Sequence, residues 1–273
     1  MRASVRRAAF TSKLTKVQAA ARCVRILDMK IRTQQGAACI FLHLIFLILA
    51  LRTSPGQAPA QLPDAATVIR GIDAAVQARY ENVLGFTDIE HYTVFRGKDQ
   101  THPVAEMTVR DTYRKDVGKT YTVLSQSGSD VVIRIGLNPL LENEKIINQP
   151  ANLPRSWFTS ANYVMTLKLG QTGQINGRDC VMVTVTARRK APNTINGNIW
   201  VDAKDYSLAQ IDGLASKDPS VFSGTTHMMR QYEQIDGFPM ATHARAESNS
   251  FLFGRTVVTI DYSDYHLQLA SAR

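Results

Sequence analysis

Long hydrophobic runs, paired metal-ligand spacings and nucleophile motifs are all missing from this chain, and cysteine is scarce. The longest apolar run is Cys39 to Leu51, thirteen residues interrupted by His43. A helix that crosses a bilayer needs about 20 apolar residues, so this run is too short to span. Of the three cysteines, only Cys180 lies beyond residue 60, which excludes an intrachain disulfide in the body of the protein. Cys180 sits in a strand-like run without a His or Asn context, so it reads as a structural thiol. No Gly-x-Ser-x-Gly elbow, Cys-His signal or phosphate-binding glycine loop occurs.

Histidines 91, 102, 227, 243 and 266 are scattered, without paired ligand spacing. Register allows one pair to be tested. With Asp236-Gly237 as a two-residue turn, Ile235 faces Phe238 and His243 pairs with Arg230. His227 is then at an odd offset from Arg230, which puts the two histidines on opposite faces. Asp202, Asp205, Asp212 and Asp236 read as turn residues rather than general acids. These absences predict a protein that is not an enzyme, without catalytic residues, metal or cofactor.

Excess charge is also missing once the chain is divided. The formal net charge is +9, but residues 1–60 hold ten of the 32 basic residues and one of the 23 acidic ones. Residues 61–273 therefore keep 22 of each and are neutral overall. Nucleic acid is not an expected partner, and Arg188-Arg189-Lys190 reads as a solvated strand end. The basic segment belongs with the apolar run. Lys30 and Arg32, then Cys39–Leu51, then Ala58-Pro59-Ala60 make a secretory leader with cleavage after Ala60. Met29-Lys30-Ile31-Arg32 offers an alternative start. Two units follow, a leader at 1–60 and a single β domain at 61–273. No cysteine stands at the cleavage point, so the exported chain is not itself expected to be a lipoprotein.

What is present is a long series of β-formers. Asp64 is a fitting N-cap for a helix whose apolar residues Val68, Ile69, Ile72, Val76 and Tyr80 recur at helical spacing. From Phe86 the period becomes two. Residues 88–96, 104–115, 119–126 and 130–136 read as four successive strands. Asn138-Pro139 then opens a short helix. Strands resume at Tyr163 and continue through 179–188, the hairpin 196–213, 225–235, 238–248 and 253–267. Four Ile-Asx-Gly triads, ending at Gly177, Gly197, Gly213 and Gly237, read as tight turns. The predicted fold is mainly β, a curved, half-open antiparallel barrel of about eleven strands covered by helices. A two-sheet sandwich is the alternative. Leu140, Leu141, Ile146, Ile147, Trp157 and Phe158 lie on the short helix and the loop after it. They read either as ordinary core or as a lid over a lipid-binding cavity.

The strings Gly197-Asn198-Ile199-Trp200-Val201-Asp202, Tyr206-Ser207-Leu208 and Gln210-Ile211-Asp212 resemble the strand–turn–strand of LolA-like proteins. Residues 232–240 and 258–265 resemble the end of such domains. These are periplasmic carriers, described as outer-membrane lipoprotein-sorting proteins. The resemblance implies a sheet of about eleven strands around helices that cap a hydrophobic cavity. It also implies a periplasmic carrier for lipoproteins or other acylated molecules, with transient membrane contact. The alternative within the superfamily is an envelope stress-sensing or scaffolding module that binds a protein partner. The carrier role has a physical basis: exposing a chain of about 15 methylenes costs roughly 12 kcal/mol at about 0.8 kcal/mol each.

Overall fold

Asp64 starts the first helix, its carboxylate accepting from the Thr67 amide at 3.0 Å. In the computed structural model, which describes residues 64–191, 193–217, 224–250 and 254–271, this helix is α1 (Ala65–Asn82). The leader expected at residues 1–60 lies outside the described residues. Helix α1 passes directly into the strand β1 (Val83–Arg96), which β2 (Ala105–Arg114) and β3 (Gly118–Gly128) follow as a meander.

The fourth expected strand is helical. Ser129 accepts from the Val132 amide and begins a continuous right-handed run through Asp130–Val132, Ile133–Leu137 and Asn138–Ile147, here α2. Val131, Val132, Ile133 and Ile135 have the β-branched composition of a strand, but their packing decides the conformation. Val132, Ile133, Leu137 and Leu141 all turn into one core. The middle segment is a π-turn, with the Asn138 amide bonding to the Ile133 carbonyl. Pro139 accounts for its place. A proline inside an α-helix has no amide to donate and collides with the carbonyl four residues back. A turn widened just before Pro139 relaxes that collision.

Seven strands follow: β4 (Tyr163–Ile175), β5 (Arg178–Ala187), β6 (Ile195–Asp202), β7 (Leu208–Ala215), β8 (Thr226–Ile235), β9 (Phe238–Ser250) and β10 (Gly254–Leu269). All pair antiparallel in one ten-stranded sheet of order β3-β2-β1-β10-β9-β8-β7-β6-β5-β4. The expected half-open sheet with its covering helices is therefore the fold, with ten strands because 130–136 is helical. Helix α1 places Val68 and Ile72 against Val183, Ile199 and Ile211. Helix α2 covers Tyr92, Met107 and Ile260 on the same face of the sheet.

Two of the four Ile-Asx-Gly triads are turns. Asn176-Gly177 and Asp236-Gly237 have the paired positive φ angles of tight hairpins. The other two lie inside β6 and β7, where Gly197 sits directly opposite Gly213. A Cβ on Gly197 would lie 2.3 Å from the Asp212 carbonyl oxygen, so the strands are pressed together there. Asp212 is accordingly a strand residue and not a turn residue, and it contacts His227 Nε2 at 2.6 Å.

The histidine register also differs from expectation. Ile235 does face Phe238, but Thr242 forms a bulge, so His243 pairs with Gln231 and Arg230 with Ala244. His227 and His243 thus share a face, four residues apart along the ladder and roughly 13 Å at strand rise. Each contacts its own aspartate, and one ion does not reach both.

A further close approach locks α1 to the sheet. Tyr206, at φ 58 in the β6–β7 turn, lays its ring on Gly71, where an added Cβ would come within 2.1 Å of Tyr206 Cδ2. Gly71→Ala should therefore cost about 1–3 kcal/mol in urea unfolding, despite alanine's better helix propensity. In a Tyr206→Ala background the same change should instead stabilise by up to about 1 kcal/mol. Equal effects in both backgrounds would mean that the ring does not rest on the helix.

Candidate functional site

The pairings draw a continuous row across the helix-covered face. It runs Met107, Tyr92, Ile260, Ala244, Arg230, Ile211, Ile199, Val183 and Leu167, one residue from each strand β2 to β4 around the sheet. Every member is apolar except Arg230, in the middle. The next row has Ala246, Met228 and Gly213 beside it. Ala244 belongs to the core under α2, and Ile211 to the core under α1. Arg230 therefore stands at the seam between two hydrophobic cores, with Ala244 on one side and Ile211 on the other.

Its surroundings explain why a charge is tolerated. Glu144 of α2 lies 3.7 Å away, at the long end of an ion pair. Tyr262 first, then Tyr232 and Glu144, hold the guanidinium well above its usual range against the opposing effect of burial. The Arg230 side chain keeps 36% of its surface exposed. Arg79 of α1 approaches the same seam, donating from Nε to the Pro239 carbonyl at 3.1 Å and from Nη2 towards Met240 Sδ at 3.4 Å. Burial lowers its pKa, but a guanidinium stays charged in that setting. Chemically, the seam offers five-donor cations beside apolar walls, a match for a molecule with an apolar tail and an anionic or strongly dipolar head.

The six residues singled out in the sequence do not converge. Leu141 is 2% exposed in the core under α2, and Leu140 packs against it. Ile146 is exposed and Ile147 half-buried. Trp157 meets Tyr80 of α1 at 4.8 Å between ring centroids, while Phe158 stacks on Tyr163 in the other core. The insert thus spans both cores and brackets the seam.

A second cluster escaped the sequence reading. Asp88 and Glu90 of β1 and Asp111 of β2 point into the same helix-covered face, at 1%, 2% and 0% exposure. Asp88 pairs directly with Asp111. Lys119 Nζ is 2.6 Å from Glu90 Oε1 and 3.3 Å from Asp111 Oδ2, and the Tyr92 hydroxyl donates to Glu90 Oε2. Burial first, then Glu90 and Asp111, push the Asp88 carboxyl up to about 8. Burial pushes Asp111 up to about 6, against the pull of Lys119. Burial works against the Lys119 charge too, but Glu90, Glu144 and Asp111 hold its ammonium well above the usual range. A signal was available. Asp88 and Glu90 are in phase with Tyr92 and Val94, so strict alternation already puts them on the buried side.

No protein-family model matches the chain, and no curated protein matches it significantly. Among solved structures it is similar to a LolA superfamily protein from Nitrosomonas europaea, at 12% identity over 76% of this chain and 94% of that one, TM-score 0.39. It is similar to a putative outer membrane lipoprotein-sorting protein domain from Vibrio parahaemolyticus, at 12% identity over 77% and 95%, TM-score 0.43. A DUF1329 family protein from Desulfovibrio piger is similar at 16% identity over 75% and 95%, TM-score 0.37. No helix among the described residues is long and apolar enough to cross a membrane. The fold stands on its own strand order, and likenesses of this extent assign no ligand to the chain.

Proposed function

We propose that the helix-covered face binds an acyl chain, and that the protein is an exported binding or carrier protein for lipoproteins or other acylated molecules. The observation that carries this reading is the row across the sheet, apolar from Met107 to Leu167 with one guanidinium at its centre. In this reading the tail lies along the small residues Ala244, Ala246 and Gly213, and the head meets Arg230. Helix α2 and the loop to Phe158 act as the lid, and the leader of residues 1–60 delivers the protein to the periplasm. No catalytic role is proposed.

Protein stripped of lipid should take up a fluorescent fatty acid. Arg230→Ala should weaken binding of the free acid by about tenfold or more, the scale of a hydrogen bond to a charged group. The same change should leave the methyl ester nearly unaffected. Stripped protein that takes up neither probe would overturn the reading.

A protein-binding role in envelope sensing or scaffolding is favoured by a different feature. β3 is an end strand of the open sheet, and Val123 and Leu124 on it are 42% and 46% exposed. An unpaired edge of that kind accepts an extended peptide as an added strand. A partner that is retained after lipid extraction and lost on Val123→Lys would support this second role.

A further inference from the structure

The carboxylates under α2 carry an inference that is independent of any acyl ligand. Asp88, Glu90 and Asp111 offer oxygens that all lie within 4.8 Å of one another, and all three side chains are buried. A separate fact points to a missing partner. Both oxygens of Asp88 and both of Asp111 lack a hydrogen-bond donor. Leaving one buried polar atom unmet costs about 1–3 kcal/mol, and charged groups cost more, so these oxygens favour any donor or ion that reaches them. Lys119 does not meet this need. Its ammonium bonds to Glu90, and it reaches Asp111 only as a 3.3 Å ion pair, with no contact to Asp88.

Charge points the same way. Three carboxyl groups share a single ammonium in a dry site, and fully ionised they would carry two negative charges in excess. A shared proton between Asp88 and Asp111 would occupy two of the four free oxygens and leave the others unmet. A divalent cation balances the charge and can engage all four, because aspartates ligate in bidentate fashion. The donors are all oxygen, which selects hard ions over zinc or copper. We propose that Asp88, Asp111 and Glu90 form a binding site for a hard divalent cation, with calcium the best fit. Calcium accepts six to eight oxygens in flexible geometry, whereas magnesium demands a near-ideal octahedron. Lys119, whose side chain is 11% exposed, marks the side on which the site meets solvent. Its ammonium opposes a second cation and makes the affinity modest.

The purified full chain, stripped with EDTA, would be titrated with Ca2+, Mg2+ and Mn2+ by calorimetry and thermal unfolding. Tb3+ luminescence sensitised through Tyr92 would report on the location. The expected result is one ion bound per chain, a rise in Tm and a terbium signal that Ca2+ displaces. Asp88→Asn, of nearly the same shape, should weaken Ca2+ binding by about 100-fold or more while the far-ultraviolet circular dichroism is kept. Lys119→Met should tighten it by about tenfold, the opposite of what a purely structural ion pair predicts. No heat, no shift in Tm and no terbium signal up to about 5 mM ion, beyond the weak end of extracellular calcium sites, would overturn the proposal. Binding that is unchanged in both Asp88→Asn and Asp111→Asn would overturn it equally.

Discussion

Lys119→Met is expected to lower the unfolding free energy by about 3–5 kcal/mol in buffer free of divalent ions. The size of the effect comes from what remains after the change. Glu90 and Asp111 are 2% and 0% exposed, and Lys119 is the one cation within 4 Å of either among the described residues. Removing one member of a buried pair leaves the other member's charge in a low dielectric with nothing to offset it. Methionine keeps the unbranched stem and so isolates the loss of charge from the loss of packing. The Tyr92 hydroxyl still donates to Glu90 and softens the loss there, while Asp111 gains no substitute. Urea unfolding of the two proteins would measure this directly. A loss below about 1 kcal/mol, the range of exposed ion pairs, would mean that water already reaches the cluster.

The second large effect is expected at Gly197. Alanine there should cost about 3 kcal/mol, the upper end for an overpacked interior. The new Cβ would lie 2.3 Å from the Asp212 oxygen and 2.5 Å from Gly213 Cα, both backbone atoms that no side-chain rotation can clear. The β6–β7 ladder would have to open at its middle, and Ile199 and Ile211 two residues away would be drawn out of the core under α1. Gly136→Ala serves as the contrast. Its Cβ would meet only Val132 Cγ1 at 3.9 Å, so a helical alanine there should be neutral or stabilise by up to about 1 kcal/mol. If thermal unfolding finds Gly197→Ala as mild as Gly136→Ala, the two strands do not approach as closely as their glycines imply.

Gly197 also shows how far the sequence could be read. Asn-Gly and Asp-Gly are turn signals because glycine accepts a positive φ, and at Gly177 and Gly237 that is their use. At Gly197 and Gly213 the same dipeptides are chosen for the absence of a side chain, which depends on what the facing strand brings. Nothing local distinguishes the two uses. The strand-like string from Val131 to Ile135 fails in a similar way. Its β-branched composition is outweighed by a serine cap and by a face that the sheet must cover. Helix α1 was legible because cap, period and length agreed, and the later strands were legible because their alternation was strict.

The candidate site was harder to see. Arg230 is a single charge between Met228 and Tyr232 on one face of β8, and only pairings carried across the whole sheet put it at the midpoint of an apolar row. Asp88 and Asp111 were hidden by the general expectation that carboxylates face water. Their phase relative to Tyr92 and Val109 contradicts that expectation, and phase is the stronger indicator wherever one face is dry.

The strand order has a bearing on how the chain reaches this state. Every ladder joins sequence neighbours except β1–β10, which ties Val83–Arg96 to Gly254–Leu269. Seven strands can zip one hairpin at a time from β4 to β10, and three more from β1 to β3, each step closing a short loop. The two sections then meet along a single seam, and that encounter brings together the most distant parts of the chain. Folding time should therefore be set by one late docking event and not by nine separate pairings. Once formed, the same seam is the place where the two sections would first part.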